Sequence, residues 1–248
     1  MISRLANLLP RALRRTGHAT ALLLALAPLS AARHSPRARL SSASGGLVAS
    51  PFESDPSAPA RARVRRHLAE RGAGTYIGDL LAGRDSALAR WPDRHGRPIA
   101  VWIQPSSRER DWRADLAMQV RDAFREWDAL RLPVHFAFTS DSARADVRVA
   151  FIDRFAEPIS GRTRWVRDED WWITDANIVL ALHHRSGAPL DADAMRAMTL
   201  HEIGHLLGLD HTADVASIMA PKVRVRALSS TDRATVRLLY ALPPGGIR

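Results

Sequence analysis

Two kinds of hydrophobic pattern divide the chain from about residue 97 onward into predicted strands and helices. Runs that alternate apolar and polar residues predict β-strands, because successive side chains of a strand point to opposite faces. The predicted strands are Ile99–Gln104, Val134–Phe138, Asp146–Ile152, Gly161–Val166 and Ile173–Leu182. Apolar residues spaced three or four apart predict amphipathic helices. The predicted helices are Trp112–Leu130, Leu190–Leu207 and Ser229–Ala241.

The order of these elements predicts an α+β domain, with an α/β/α-like arrangement around a small twisted mixed sheet. A strand, a helix and two more strands come first, which implies a right-handed crossover between parallel strands. The run Pro243-Pro244-Gly245-Gly246 ends the last helix. We therefore expect one folded domain over residues 97–242 and a tail at 243–248.

Residues 67–96 precede this domain and carry weaker patterns. Short helical patterns run over Val64–Glu70 and Asp79–Trp91. The segment is predicted either to pack on the domain as an N-terminal extension or to act as a pro-segment. Before it, residues 33–66 are rich in Arg, Ser and Pro, and they have too little apolar surface to form a core. A disordered linker is predicted there.

Residues 1–32 have the pattern of a signal peptide. Arg residues precede the apolar run Ala19–Leu29, and small residues follow at Ser30-Ala31-Ala32. This pattern predicts a secreted or periplasmic protein, with a retained anchor or an amphipathic surface helix as the alternative. The apolar run is short for a transmembrane helix, so stable membrane insertion is not expected.

The formal net charge of +10 lies mostly outside the predicted domain. Residues 1–32 carry +4 and residues 33–66 carry +5, so residues 67–248 carry only +1. A phosphate-binding surface needs cations clustered on the folded domain. The charge distribution therefore disfavours a nucleic-acid partner and, for the same reason, a basic surface-binding protein.

The most specific pattern lies in the second predicted helix, where the chain reads H-E-x-x-H-x-x-G-x-x-H from His201 onward. His201 and His205 are one helical turn apart, so their imidazoles can bind one metal ion. Gly208 allows a left-handed turn that brings His211 to the same ion. Three imidazoles leave one tetrahedral position of zinc open, as a catalytic site requires. Glu202 lies where a carboxylate can take a proton from water on the metal.

This helix is predicted to be mostly buried, because its polar residues cluster at the motif. Asp191 or Asp193 can cap its start. Gly204 in mid-helix costs about 1 kcal/mol relative to Ala, so we expect another element to approach closely at this position.

With this motif the chain resembles a metzincin-clan zinc metalloprotease, and it is most like the matrixin branch. Ser217-Ile218-Met219-Ala220-Pro221 resembles the Met-turn that runs beneath the zinc in that clan. Leu228-Ser229, Asp232 and Leu238-Leu239-Tyr240 resemble the closing C-terminal helix of the family. The likeness covers about residues 97–242, which are expected to form a matrixin-like metallopeptidase domain.

The resemblance implies a metzincin catalytic fold and a secreted zinc endopeptidase. It assigns zinc ligands His201, His205 and His211, the general base Glu202, and Met219 as the apolar floor of the site. An extended substrate would lie along the edge strand Gly161–Val166. Pro221 and Val223 would be walls of the main specificity pocket.

The chain departs from the family pattern at several positions. Thr212 stands where matrixins usually carry Ser, and Ala220 stands where their Met-turn often continues with Tyr. The chain has no Cys, so the family's Cys-bearing inhibitory motif cannot occur. The family's His/Asp-rich loop for structural zinc and calcium is not recognisable between Phe151 and Ile173. We expect one zinc ion, and a calcium requirement stays open.

Tyr76-Ile77-Gly78-Asp79 is a short match to the aromatic-x-Gly-Asp motif with which some astacin-type metzincins block the zinc by an aspartate. The alternative interpretation is that Asp79 caps a helix.

The leading hypothesis is therefore a secreted, monomeric zinc endopeptidase that acts on protein or peptide substrates. The alternative is a catalytically silent binding protein with the metzincin fold. The complete ligand set together with Glu202 favours the enzyme, because a binding protein has no chemical need for that carboxylate.

Overall fold

The computed structural model describes residues 58–84, 86–94 and 96–246, so the predicted signal peptide and residues 33–57 of the predicted linker lie outside the described residues. The helices are α1 (Ala58–Arg71), α2 (Ile77–Gly83), α3 (Ala114–Asp128), α4 (Ala192–Leu206) and α5 (Ser230–Tyr240). The strands are β1 (Ala87–Leu88), β2 (Ile99–Ile103), β3 (Phe136–Thr139), β4 (Val147–Ile152), β5 (Gly161–Arg167), β6 (Ile173–Ala181) and β7 (Gly245–Gly246). None of the described helices combines the length and apolarity needed to cross a membrane.

Five strands form a mixed sheet in the order β3-β2-β4-β6-β5, which confirms the predicted α+β architecture. The first four are parallel, and β5 runs antiparallel to β6. Strand β5 lies at the sheet edge, so its outer backbone groups have no strand partner among the described residues. An exposed edge of this kind can pair with an extended peptide.

Helices α3 and α4 pack against each other, and α4 also contacts β5 and β6. The amphipathic pattern of α3 correctly predicts its buried face: Leu116, Val120, Ala123, Phe124 and Trp127. Trp127 fixes the helix pair, since its Nε1–H donates to the carbonyl oxygen of Leu200 at 3.0 Å. Helix α4 is thereby held between α3 and the edge of the sheet that contains β5.

The segment before the predicted domain packs into the core. Tyr76, Leu80 and Trp91 are buried, and the Trp91 Nε1–H donates to Leu206 O at 2.9 Å near the end of α4. Strand β1 pairs antiparallel with β7, so residues of the predicted tail take part in a small second sheet.

The element boundaries in this segment differ from the sequence prediction. Helix α1 begins at Ala58, so residues 58–66 of the predicted linker are helical. Helix α2 ends at Gly83 and does not continue to Trp91, and Ala87 and Leu88 form the short strand β1 instead.

Candidate metal centre

After the end of helix α4 the chain turns back toward the side chains of that helix. Gly208 has φ +98° and follows the last helical turn. Its N–H donates to His205 O at 3.0 Å, and the next N–H, from Leu209, donates to Gly204 O at 2.9 Å. This pair of hydrogen bonds is a Schellman motif, which favours Gly because of the positive φ. A Cβ at Gly208 would also lie 2.1 Å from Ala89 O, so the turn has room only for glycine.

This turn brings three imidazoles together. His201 Nε2 lies 3.1 Å from His205 Nε2 and 3.3 Å from His211 Nε2. Two nitrogens bound to one tetrahedral zinc ion at about 2.0–2.1 Å are about 3.3–3.4 Å apart. Within the described ranges, these residues are the only group of three or more His, Cys, Asp or Glu side chains arranged to share an ion. The donor set and its spacing therefore fit zinc.

The backbone sets the orientation of two of these rings. His201 Nδ1 lies 2.7 Å from Ile218 O, and His205 Nδ1 lies 3.1 Å from Leu209 O. Because a carbonyl only accepts hydrogen bonds, each Nδ1 carries the proton and each Nε2 keeps a lone pair for a metal. Burial lowers the pKa of His201, and burial together with the nearby His201 ring lowers the pKa of His205 to about 3. Both shifts favour the neutral ring, which metal ligation requires.

Glu202 occupies a buried position between α4 and β5. Its Oε2 accepts a hydrogen bond from Thr163 Oγ1 at 2.7 Å. Burial raises the pKa of Glu202 to about 7, against the opposing effect of that hydrogen bond. A carboxyl group with a pKa near neutrality is suited to exchange protons with a reacting group.

The carboxylate fits only because its neighbour on β5 is a glycine. A Cβ at Gly161 would lie 2.4 Å from Glu202 Oε1 and 2.8 Å from its Cδ. The Glu202 side chain cannot move away freely, because Thr163 holds its Oε2 and the residue is buried.

Gly161→Ala is expected to lower kcat/KM for peptide cleavage by up to about 10²-fold, the scale of a 1 Å displacement of a reacting group. Gly78→Ala is the matched control, because a Cβ there has nothing within 4 Å. Peptide kinetics on both variants would test the prediction. Unchanged kcat/KM in Gly161→Ala would contradict it.

The predicted Met-turn lies directly beneath α4. Met219 is buried, and a Cβ at Gly204 would lie 2.2 Å from its Sδ. This contact confirms the close approach predicted at Gly204. Met219 is therefore placed where an apolar floor of the metal centre is expected.

A single buried carboxylate, Asp232, anchors the Met-turn. It accepts hydrogen bonds from Ser217 Oγ, from the Ile218 N–H at 3.0 Å and from Tyr76 OH at 3.2 Å. It also forms a capping box with Ser229 at the start of α5. The capping box can be read from the S-x-x-D spacing, but the links to the Met-turn and to Tyr76 cannot.

Arg84 also supports the metal centre, and the sequence does not single it out. Its guanidinium donates to Gly208 O at 2.7 Å and to Leu209 O at 3.2 Å, and it lies 3.4 Å from Asp210. Leu209 O is also the acceptor for His205 Nδ1. Arg84 therefore holds the turn that precedes His211. The two are far apart in sequence, so no spacing of residues predicts this contact.

A cavity of about 600 Å³ opens beside the three imidazoles. The predicted wall residues Pro221 and Val223 line it, together with Glu202, the three His residues, Leu190 and Met198. The structure thus brings all seven predicted site residues to one region, with Met219 beneath it.

Asp79 does not block this cavity, so the aspartate-plug hypothesis is wrong for this structure. Its Oδ2 accepts from Thr212 Oγ1 at 3.0 Å, and it is not among the residues that line the cavity. Tyr76 fixes the start of α2 against α5, which holds Asp79 beside Thr212. The alternative is also wrong, because Asp79 is the third residue of α2 and its N-cap residue is Tyr76.

Three curated proteins illustrate what this chain is similar to. Metalloendoproteinase 1-MMP of Arabidopsis thaliana is 27% identical over 151 residues, which cover 52% of this chain and 39% of that protein. Metalloendoproteinase 1 of Glycine max is 31% identical over 91 residues, 35% of this chain and 28% of that protein. Metalloendoproteinase 5-MMP of Arabidopsis thaliana is 26% identical over 179 residues, 63% of this chain and 47% of that protein. The chain therefore spans less than half the length of these relatives.

The family comparison covers the three predicted metal ligands and the predicted general base. The matrixin family model matches residues 91–241, which contain the three imidazoles, Glu202, Met219 and α5. The match extends over more than half of the chain and ends one residue after α5. The chain belongs to the matrixin family.

Proposed function

We propose that this chain is a zinc-dependent endopeptidase that hydrolyses peptide bonds in protein or peptide substrates. The observation that carries the proposal is the convergence of His201, His205 and His211 with the buried carboxylate of Glu202 on the adjacent residue. The accessible cavity and the open edge of β5 give an extended peptide a place to bind next to these groups.

His201, His205 and His211 would hold the zinc ion through their Nε2 atoms. When bound, the ion would polarise the scissile carbonyl group and lower the pKa of a water molecule toward neutrality. The imidazoles suit this role because two of them are fixed by backbone carbonyls in the correct tautomer.

Glu202 acts as the general base in this proposal. Its carboxylate takes the proton of the attacking water and passes it to the departing amine. Thr163 holds one carboxylate oxygen at 2.7 Å, and Gly161 leaves space for the other. Met219 packs under the ligand helix as the floor.

The substrate backbone would pair with the outer edge of β5. One substrate side chain would enter the cavity, with Pro221 and Val223 as walls. The catalytically silent binding protein remains the competing function, and the presence of Glu202 disfavours it.

We further propose that residues 76–90 stay with the catalytic domain as an N-terminal extension and are not removed as a pro-segment. Arg84 binds the turn before His211, Tyr76 binds Asp232, and Ala89 packs against Gly208. Removing the segment would leave buried polar groups of the metal centre without partners. The proposed signal peptide at 1–32, the linker and export to the periplasm or the exterior rest on sequence alone, as does the monomeric state.

Cleavage of internally quenched peptides by the zinc-loaded full chain tests the proposed function. We expect chelation to abolish cleavage and one equivalent of zinc to restore it, because the ligand set provides a single site. Mass spectrometry of the products would show internal cleavage. A protein that binds one zinc ion but cleaves no peptide across a diverse library would instead support the silent binding protein.

A further inference from the structure

The cavity beside the metal centre has an apolar interior and a cationic rim. Leu190, Ala197 and Met198 of its lining are buried and apolar. Four cations also line it: Arg162, Lys222, Arg224 and Arg226. Among the described residues that line it, Glu202 is the only acid.

Two of these cations are neutralised by acids of the same chain. Arg162 pairs with Glu157 at 2.7 Å, and Arg226 pairs with Asp193 at 3.0 Å. Lys222 and Arg224 are exposed, and neither forms an ion pair with a residue that the structure describes. The segment after the Met-turn therefore carries two positive charges that are not balanced nearby, although residues 67–248 as a whole carry only +1.

The two regions would contact different side chains of one extended peptide. A carboxylate inside the apolar part would lose its hydration without a partner, so an apolar side chain is favoured there. Successive side chains of an extended peptide point to opposite faces, so the neighbours of the inserted side chain lie outside the cavity, where the rim cations can reach them. A carboxylate at those positions gains an ion pair while it stays partly hydrated.

We propose that the cleft selects peptides in which the inserted apolar residue is flanked by Asp or Glu, with Lys222 and Arg224 as the residues that bind the acidic side chain. This specificity rests on the proposed peptidase function. It goes beyond that function because it names the substrate class and the two residues that determine it.

Three peptides that differ only beside the apolar residue test the proposal, with Glu, the isosteric Gln, or Lys at that position. With wild-type protein we expect kcat/KM to fall in the order Glu, Gln, Lys, with about a three- to tenfold advantage of Glu over Gln from two exposed ion pairs. The advantage should shrink when NaCl rises from about 50 mM to about 500 mM, because salt screens exposed charges.

Charge reversal provides the decisive comparison. The double variant Lys222→Glu/Arg224→Glu is expected to invert the order, so that the Lys peptide becomes the best substrate. Arg97→Glu is the matched control: Arg97 is exposed and does not line the cavity, so this variant should keep the wild-type order. Equal kcat/KM for the Glu and Gln peptides in wild-type protein, or an unchanged order in the double variant, would overturn the proposal.

A binding measurement separates failure of this proposal from failure of the proposed function. Fluorescence anisotropy with labelled peptides and zinc-loaded Glu202→Gln protein reports affinity without cleavage. We expect the Glu peptide to bind tightest, by the same factor. Absence of cleavage in every peptide would defeat the proposed function, whereas cleavage or binding without preference for Glu would defeat the specificity alone.

Discussion

Glu202→Gln is expected to lower kcat/KM for peptide cleavage by about 10²–10⁴-fold, the usual contribution of a positioned general acid–base group. Gln has nearly the same shape as Glu and can still accept the hydrogen bond from Thr163 Oγ1, but it cannot take a proton from water. The zinc content should stay at one equivalent, because the three imidazoles are untouched. Steady-state kinetics and metal analysis on the same sample provide the measurement.

Glu126→Gln is the matched control for this variant. Glu126 is a largely buried carboxylate that pairs with Arg196, and it does not line the cavity. The Glu126→Gln variant should therefore retain near wild-type kcat/KM. Wild-type activity in Glu202→Gln would refute the assigned general base and leave the zinc site without a mechanism.

Arg84→Met is expected to weaken zinc binding by about 10- to 100-fold, the typical effect of removing a group that orients metal ligands. Without the guanidinium, Gly208 O and Leu209 O lose the hydrogen bonds from Arg84, so the turn that leads to His211 is held less firmly. Competition for zinc against a chromophoric chelator measures the change directly, independent of catalysis.

Arg94→Met separates this effect from a general loss of stability. The Arg94 side chain is 14% exposed, as is that of Arg84, and it pairs with Asp146 at 2.9 Å. Each guanidinium also stacks on a tryptophan, Arg94 on Trp91 and Arg84 on Trp165. Arg94 makes no contact with the turn at Gly208. Equal zinc affinity in the two variants, measured where circular dichroism shows both folded, would refute the role of Arg84 in supporting the metal ligands.

The fold was predictable where hydrophobic periodicity carried the information. The buried face of α3 follows from residue spacing alone, and the strands of the main sheet lie within two residues of their predicted starts. Strand β7 could not be predicted, because two glycines have no side chains to form a pattern.

The ligands of the metal centre could be predicted from the sequence, whereas the residues that support them could not. The ligands are close together in sequence, and helical spacing fixes their geometry. Arg84 instead binds backbone carbonyl oxygens of a distant segment, and Asp232 accepts hydrogen bonds from Tyr76 and from the Met-turn. Contacts across such sequence separations leave no spacing pattern, so a single sequence cannot reveal them.

The hydrogen bonds of Asp232 connect the floor of the site to two other segments, so we expect these segments to open together. The Met-turn, the first turn of α5 and Tyr76 all donate to one solvent-excluded carboxylate. A buried polar group that loses a hydrogen-bond partner costs about 1–3 kcal/mol, so partial unfolding of any one of these segments would leave Asp232 short of a donor. We therefore expect local opening beneath the ligand helix to be rare, because it breaks several buried hydrogen bonds at once.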